Sequence, residues 1–250
     1  VISEFAALLD EAARTATPVP GRADRPDLDL DTAYDVQAAS VGLRLARGER
    51  PAGVKMGFTS EAKMRQMGVN EMIWGRLTDA MRVEDGGTFG VGAHIHPRAE
   101  PEIAFRLARA PGPGADPAAV VEAVAPAIEI INSRYVDFRF TVPEVIADNA
   151  SAAAFVVGPW VPLTGPLDDL DVVLEIDGEP AQKGSTAAIL GDPLRALTEA
   201  FDLTARRGLR LSAGDIVLAG AATAAVPVRP GSRVRARVAG LGSAGFTAVP

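Results

Sequence analysis

The segment His96-Pro97-Arg98-Ala99-Glu100-Pro101-Glu102-Ile103-Ala104-Phe105 holds two carboxylates two positions apart. On an extended chain, residues i and i+2 point to the same side. Ala104 continues that phase, so the face is otherwise apolar. Two like charges on one face repel unless a cation sits between them, and oxygen donors suit a hard ion such as Mg²⁺ or Mn²⁺. The plainer reading is an exposed strand face with two solvated glutamates. A third carboxylate, Glu129, interrupts the apolar run Ala125-Pro126-Ala127-Ile128-Glu129-Ile130-Ile131. A lone charge inside a core is costly, so such a group is ligated, paired or exposed. Ser133-Arg134 follows at once and offers a simple salt bridge. Glu100, Glu102 and Glu129 together could form a three-carboxylate metal site with positions left for water or substrate.

Two further segments carry polar groups in suggestive places. Gly53-Val54-Lys55-Met56-Gly57-Phe58-Thr59 sets one Lys in an apolar strand between glycines. Such a Lys is desolvated, binds a carboxylate, or snorkels to the surface. Asp148-Asn149-Ala150-Ser151 places three hydrogen-bonding side chains at a strand entry, where turn chemistry and capping are the local explanation.

Composition narrows the chemistry. The 250 residues include no Cys and two His, and the formal net charge is −7. Thiolate nucleophiles, disulfides, iron–sulfur clusters and Cys-based zinc sites are excluded. His94 and His96 have no third zinc ligand at a usual spacing. The acidic balance argues against nucleic-acid binding, which needs a basic stripe. Asn149-Ala150-Ser151 matches a glycosylation sequon, but nothing suggests secretion; Lys183-Gly184-Ser185 lacks the upstream Gly of a phosphate-binding loop. The beginning of the sequence lacks a signal-peptide pattern, and no apolar run reaches the ~18–20 residues of a spanning helix. The expectation is a soluble cytoplasmic protein.

The elements that must position these groups follow from periodicity. Residues 3–14 read as an amphipathic helix with Phe5, Leu8, Leu9 and Ala12 on one face. A Pro/Gly/Asp break covers residues 17–28. Asp29 or Asp31 caps a second helix, with Ala33, Val36, Val41 and Leu45 as its buried stripe, ending near Gly48. Strands are predicted over residues 54–58, 73–77, 100–108, 127–131, 153–161, 172–176, 216–219 and 234–238. Helices are predicted over 60–66, 116–124 and 193–207. Asp85-Gly86-Gly87 and Asp177-Gly178 mark turns. The sum is a mixed α+β fold: a helical N-terminal region, residues 1–50, and a β-rich core, residues 51–250.

Several segments, in order along nearly the whole chain, resemble one family. They are Lys55-Met56-Gly57-Phe58-Thr59-Ser60 with Ala62-Lys63-Met64-Arg65-Gln66-Met67-Gly68-Val69, the His96 to Phe105 segment, and the run from Ala125 to Tyr135 continuing at Asp148 to Ser151. Gly184-Ser185-Thr186-Ala187-Ala188-Ile189-Leu190-Gly191-Asp192-Pro193 and Ala213-Gly214-Asp215-Ile216-Val217-Leu218 complete the set. Together they look like the hydratase/decarboxylase branch of the fumarylacetoacetate hydrolase superfamily. The resemblance implies a barrel-like β core with peripheral helices, metal-binding carboxylates at Glu100, Glu102 and Glu129, an active-site Lys55, and an acidic position near the site at Asp79.

Within the branch, Lys55-Met56-Gly57, Met64 to Val69 and Ser133 to Phe140 look more like the decarboxylases of 2-oxo-3-hexenedioate. The hydratases of 2-hydroxypenta-2,4-dienoate are the alternative. Both belong to meta-cleavage of catechols in aromatic catabolism. The decarboxylation is that of a vinylogous β-keto acid and needs Mg²⁺ or Mn²⁺ but no organic cofactor. Lys55 would bind the oxo-acid end or shuttle a proton. Arg134 or Arg139 would hold a substrate carboxylate, unless either pairs with Glu129 or Asp137. Asn149 and Ser151 would order water or substrate. A homo-oligomer and an association with the pathway hydratase are expected. A non-catalytic, metal-stabilised partner subunit is the rival of another class.

Overall fold

The structure is a computed structural model that describes residues 1–21, 28–60, 64 and 72–250. Most of the predicted 60–66 helix, most of the family-like segment 62–69 and residues 22–27 of the predicted break lie outside the described residues.

Helix α1, Ile2–Thr15, buries Phe5, Ala6, Leu9 and Ala12, and leaves Leu8 outside. Helix α2, Leu30–Ala46, starts at Asp29, whose carboxylate accepts the Thr32 amide at 2.8 Å. That side chain satisfies one of the unpaired amides of the first turn. Ala33, Val36 and Val41 form its buried stripe, together with Gln37; Leu45 is exposed rather than part of it. A forked Arg47–Asp10 pair, 2.7 and 2.6 Å, joins the two helices. Gln37 Nε2 ties α2 to the rest of the protein by donating to the carbonyls of Trp74 (2.9 Å) and Ile146 (3.1 Å).

Thirteen strands follow among the described residues: β1 (Pro51–Gly57), β2 (Ile73–Thr78), β3 (Arg82–Val83), β4 (Thr88–Gly90), β5 (Arg98–Leu107), β6 (Val121–Ile131), β7 (Ala152–Val157), β8 (Asp171–Ile176), β9 (Glu179–Ser185), β10 (Ile216–Ala221), β11 (Val226–Pro227), β12 (Arg233–Val238) and β13 (Gly242–Val249). One sheet has the order β2-β1-β10-β5-β6-β7-β3, with β11 also on β5; it curls into a half-barrel. The second has the order β4-β13-β12-β8-β9. Ala99, Ile128, Ile130, Val156, Leu174, Val234, Ala236 and Phe246 pack between the two layers. The helix Pro193–Arg206 covers the other side, through Ala196, Leu197, Ala200 and Phe201 against Val54, Phe105 and Val217. This is the mixed, β-rich architecture with peripheral helices that the sequence predicts.

The structure corrects two boundaries. The predicted helix over residues 116–124 is a single turn, Pro117–Val120, capped by Asp116. The chain then enters β6, which pairs with β5 from Leu107↔Val121 to Arg98↔Ile131. Glu122 lies on that strand and binds Arg106 on the neighbouring one at 2.9 and 3.0 Å. Long-range pairing outweighs the local helical pattern here. The expected strand over 153–161 spans Ala152–Val157, and Val161 returns as an isolated bridge to Val124. A short helix, Val142–Ala147, was not foreseen; Thr141 and Glu144 close it with a capping box.

Gly53 allows β1 to lie beside β10. Its φ is +137°, and a Cβ there would stand 1.8 Å from the Ile216 carbonyl oxygen. Gly53→Ala is therefore expected to lower stability by about 3 kcal/mol or more, from a strained φ plus a backbone clash. Urea or thermal unfolding checks this; an unchanged midpoint would contradict the close approach.

Candidate metal centre

The pleat of β5 turns Glu100 and Glu102 to one face, and Ala99, Pro101 and Ile103 to the other. In the adjacent strand Glu129 is the register partner of Glu100. All three glutamates are buried, and one oxygen from each lies within 4.8 Å of the others. Lys55 reaches them from β1, two strands away across β10. Its Nζ lies 2.9 Å from Glu129 Oε2 and donates to the Ala150 carbonyl at 3.0 Å. The snorkelling and solvated-face alternatives do not describe these four side chains.

Local backbone features make the room. The β5–β10 register shifts between Leu218 and Ala221, which turns the Gly220 amide onto Glu102 Oε2 at 2.8 Å. Gly220 has φ +106°, and a Cβ there would collide with Thr59 Oγ1 at 2.1 Å. Gly75, opposite Lys55, leaves space for the lysine stem; a Cβ would meet Lys55 Cδ at 3.1 Å and the Asn149 carbonyl oxygen at 2.5 Å.

The electrostatics are unbalanced, three carboxylates against one ammonium. Burial, then Glu129, pushes the Glu102 carboxyl well above the usual carboxylate range, with Lys55 pulling only partly back. Burial also raises Glu129, against the attraction of Lys55. For Lys55 burial acts downward, but Glu129, Glu102 and Glu100 together hold the ammonium above its ordinary value. Glu102 Oε1 and Glu129 Oε1 are buried with no hydrogen-bond partner among the described residues. Buried oxygens left without donors, in an all-carboxylate set, fit a hard divalent cation. Neither His belongs to this cluster.

The segment after the Val142–Ala147 helix supports the site from below. Asn149, Ala150 and Ser151 have φ of +53°, +50° and +59°. Three successive left-handed residues without a glycine are strained. Side chains hold them in place. Asn149 clasps Arg76 at both backbone groups, accepting at 2.7 Å and donating at 2.9 Å. Arg134 binds Asp148 through its guanidinium and backbone amide, and donates to the carbonyls of Asn132 (2.8 Å) and Ala152 (3.0 Å). The turn thereby aims the Ala150 carbonyl at Lys55 and leaves Ser151 Oγ in the cavity without a partner.

That cavity has a volume of about 550 Å³ and is lined by Lys55, Glu100, Ser151, Arg98, Phe138 and the small residues 221–225. The structure brings Lys55, Glu100, Glu102, Glu129 and Ser151 together. It does not bring in the other predicted side chains. Asp79 sits at the far end of the β1–β2 pair, half-exposed, binding Arg50 at 3.1 Å. Arg134 is spent on Asp148, rather than on Glu129 or a substrate, and Asn149 is spent on Arg76. Arg139 is exposed and off the cavity wall. Sequence reasoning passed over Arg98, although it stands two residues before Glu100 and so shares its face.

Comparison with known proteins agrees with this geometry. The fumarylacetoacetate (FAA) hydrolase C-terminal family matches residues 52–249. A 4-oxalocrotonate decarboxylase from a Pseudomonas species is 48% identical, over 98% of this chain and 97% of the relative. A 2-hydroxyhexa-2,4-dienoate hydratase from Comamonas testosteroni is 34% identical, over 94% and 92%. The solved 4-oxalocrotonate decarboxylase of Pseudomonas putida G7, complexed with magnesium and adipate, superposes with a TM-score of 0.95 at 37% identity, over 99% of this chain and 97% of that one. With the family match spanning most of its length and both relatives aligned nearly end to end, the chain belongs to the fumarylacetoacetate hydrolase family.

Proposed function

We propose that this protein decarboxylates 2-oxo-3-hexenedioate (4-oxalocrotonate) to 2-hydroxypenta-2,4-dienoate, with Mg²⁺ held by Glu100, Glu102 and Glu129. The observation that carries the reading is the full-length likeness to a decarboxylase at 48%, against 34–37% for hydratases. The donor set agrees with it, because the free carboxylate oxygens suit a hard ion. When bound, Mg²⁺ supplies Lewis-acid stabilisation of the negative charge that develops at the oxo-acid end.

The protein's own groups do the rest. As the bond to the distal carboxylate breaks, its electron pair runs through the alkene to the 2-oxo oxygen, and CO₂ leaves. Lys55 Nζ, kept cationic by its acidic neighbours, binds the oxo-acid end and can give that oxygen a proton. Ser151 Oγ is free to orient the same end. Residues 221–225, four alanines and Thr223, give the cavity a small-residue wall beside these groups. No helix among the described residues is long and apolar enough to cross a membrane. A cytoplasmic location, a homo-oligomer and an association with the pathway hydratase belong to the same reading; co-elution of the two purified enzymes tests the last.

Three outcomes test the proposal. Purified protein with Mg²⁺ should convert 2-oxo-3-hexenedioate to the dienol with release of CO₂, stop on chelation, and leave added 2-hydroxypenta-2,4-dienoate unhydrated. Hydration without decarboxylation would favour the hydratase. Glu102→Gln should lose Mg²⁺ affinity and turnover together, each by about 100-fold or more; tight metal binding in that variant would refute the ligand set. Mg²⁺ binding should also depend on pH with a defined sign. Glu102 holds its proton above the usual range when metal-free, so the ion must displace it. Affinity therefore rises with pH until Glu102 ionises unaided. Calorimetry in buffers of different ionisation enthalpy reads the released proton, and pH-independent binding would contradict the assignment.

A further inference from the structure

Arg98 is a cation inside the cavity that the reaction as described does not use. Its guanidinium lies 4.4 Å over the Phe138 ring, and it forms no ion pair among the described residues. Phe138 is sandwiched, with the His96 ring 4.5 Å away. An arginine stacked on an aromatic ring keeps its donor edges free for a planar anion.

Its position along β5 is informative. Glu102 is 1% exposed, Glu100 is 7% exposed, and Arg98 is only partly buried. The three alternate on one face, so the cavity runs along the strand from a closed carboxylate end to an open end at Arg98 and Phe138. Arg98 and Glu100 are two strand residues apart, about 6.6 Å. The two carboxyl carbons of a six-carbon diacid are separated by five zigzag bonds, about 6 Å.

We propose that Arg98 binds the distal carboxylate of the substrate, the one lost as CO₂, and thereby selects a dicarboxylate over a monocarboxylate. This rests on the decarboxylase reading for the identity of the diacid. Among the described residues that line the cavity, an oxo-acid group seated at the glutamates and Lys55 leaves Arg98 as the cationic neighbour of the other end of the molecule. The contact orients the scissile bond and holds the substrate. It does not favour the transition state, because the carboxylate loses its charge as CO₂ forms. Its loss should therefore raise KM without lowering kcat, which stays the same or rises. The mouth position also lets CO₂ depart without passing the metal end.

The test compares two unreactive ligands in the presence of Mg²⁺, 2-oxohexanedioate and 2-oxohexanoate, by calorimetry, for wild type, Arg98→Met and Arg98→Lys. Wild type should prefer the diacid by about 10–100-fold, the range of one charge-assisted contact. Arg98→Met should abolish the preference while binding the monoacid as wild type does, and Arg98→Lys should restore part of it. Turnover of 2-oxo-3-hexenedioate by Arg98→Met should show a raised KM with kcat unchanged or higher, and a lowered kcat would count against the proposal. A diacid preference retained in Arg98→Met, equal loss of both ligands, or no preference in wild type would each overturn the proposal. Because the ligands report binding without reaction, a failure of wild-type turnover would strike the decarboxylase reading separately.

Discussion

Three carboxylates share one buried face of a sheet with one ammonium, and this excess of negative charge sets the terms for everything around it. Two neighbouring strands bring Glu100 opposite Glu129, with Glu102 one pleat further on. A buried charge without compensation is held only by protonation, a partner or a metal. The protein uses the first two in part. Lys55 pairs with Glu129, the Gly220 amide serves one oxygen of Glu102, and burial keeps Glu102 inclined to hold a proton. The oxygens still unserved are where a cation belongs. The same imbalance keeps Lys55 charged in a place where burial alone would favour its neutral form.

Much of the surrounding structure can be understood as holding that lysine in register. Lys55 comes from a strand that is not adjacent to the glutamates, so its tip needs a second anchor. The Ala150 carbonyl is that anchor, and it points inward only because three residues adopt left-handed φ. Each such residue costs on the order of 1 kcal/mol or more. The Arg134–Asp148 pair and the clasp of Asn149 on the Arg76 backbone hold them there. Arg134 thus places its donors on the turn and its surroundings.

The buried carboxylate face was legible in the sequence because burial leaves a local trace. A glutamate within an apolar β-branched run, or a lysine between glycines in one, is conspicuous without knowledge of the fold. The supporting partners left no such trace. Arg134 meets Asp148 across 14 residues and Asn149 meets Arg76 across 73, so nothing local distinguishes them from capping residues. Asp79 misled for the opposite reason: it follows a strand of the site but at its distant end, where Arg50 takes it. β13, rich in Gly, Ser and Ala, carries little strand propensity and exists through its pairing with β12 and β4. Arg98 was visible in phase with Glu100, yet its free guanidinium emerges only once the ion pairs of the other arginines are seen.

The polarity of the cavity follows from the same strand. β5 pairs with β6 throughout, and on its other edge β10 reaches as far as Glu102. At Ala99 and Arg98 the two-residue strand β11 takes that edge. One face of a single strand thus runs from buried glutamates with excess negative charge to a half-buried arginine. An asymmetric diacid has two different ends, and a site graded in this way can tell them apart. With the diacid bound as proposed, the charge that departs with CO₂ would lie at the Arg98 end and the charge that accumulates at the buried glutamate end, where low polarisability of the surroundings makes fixed groups act most strongly.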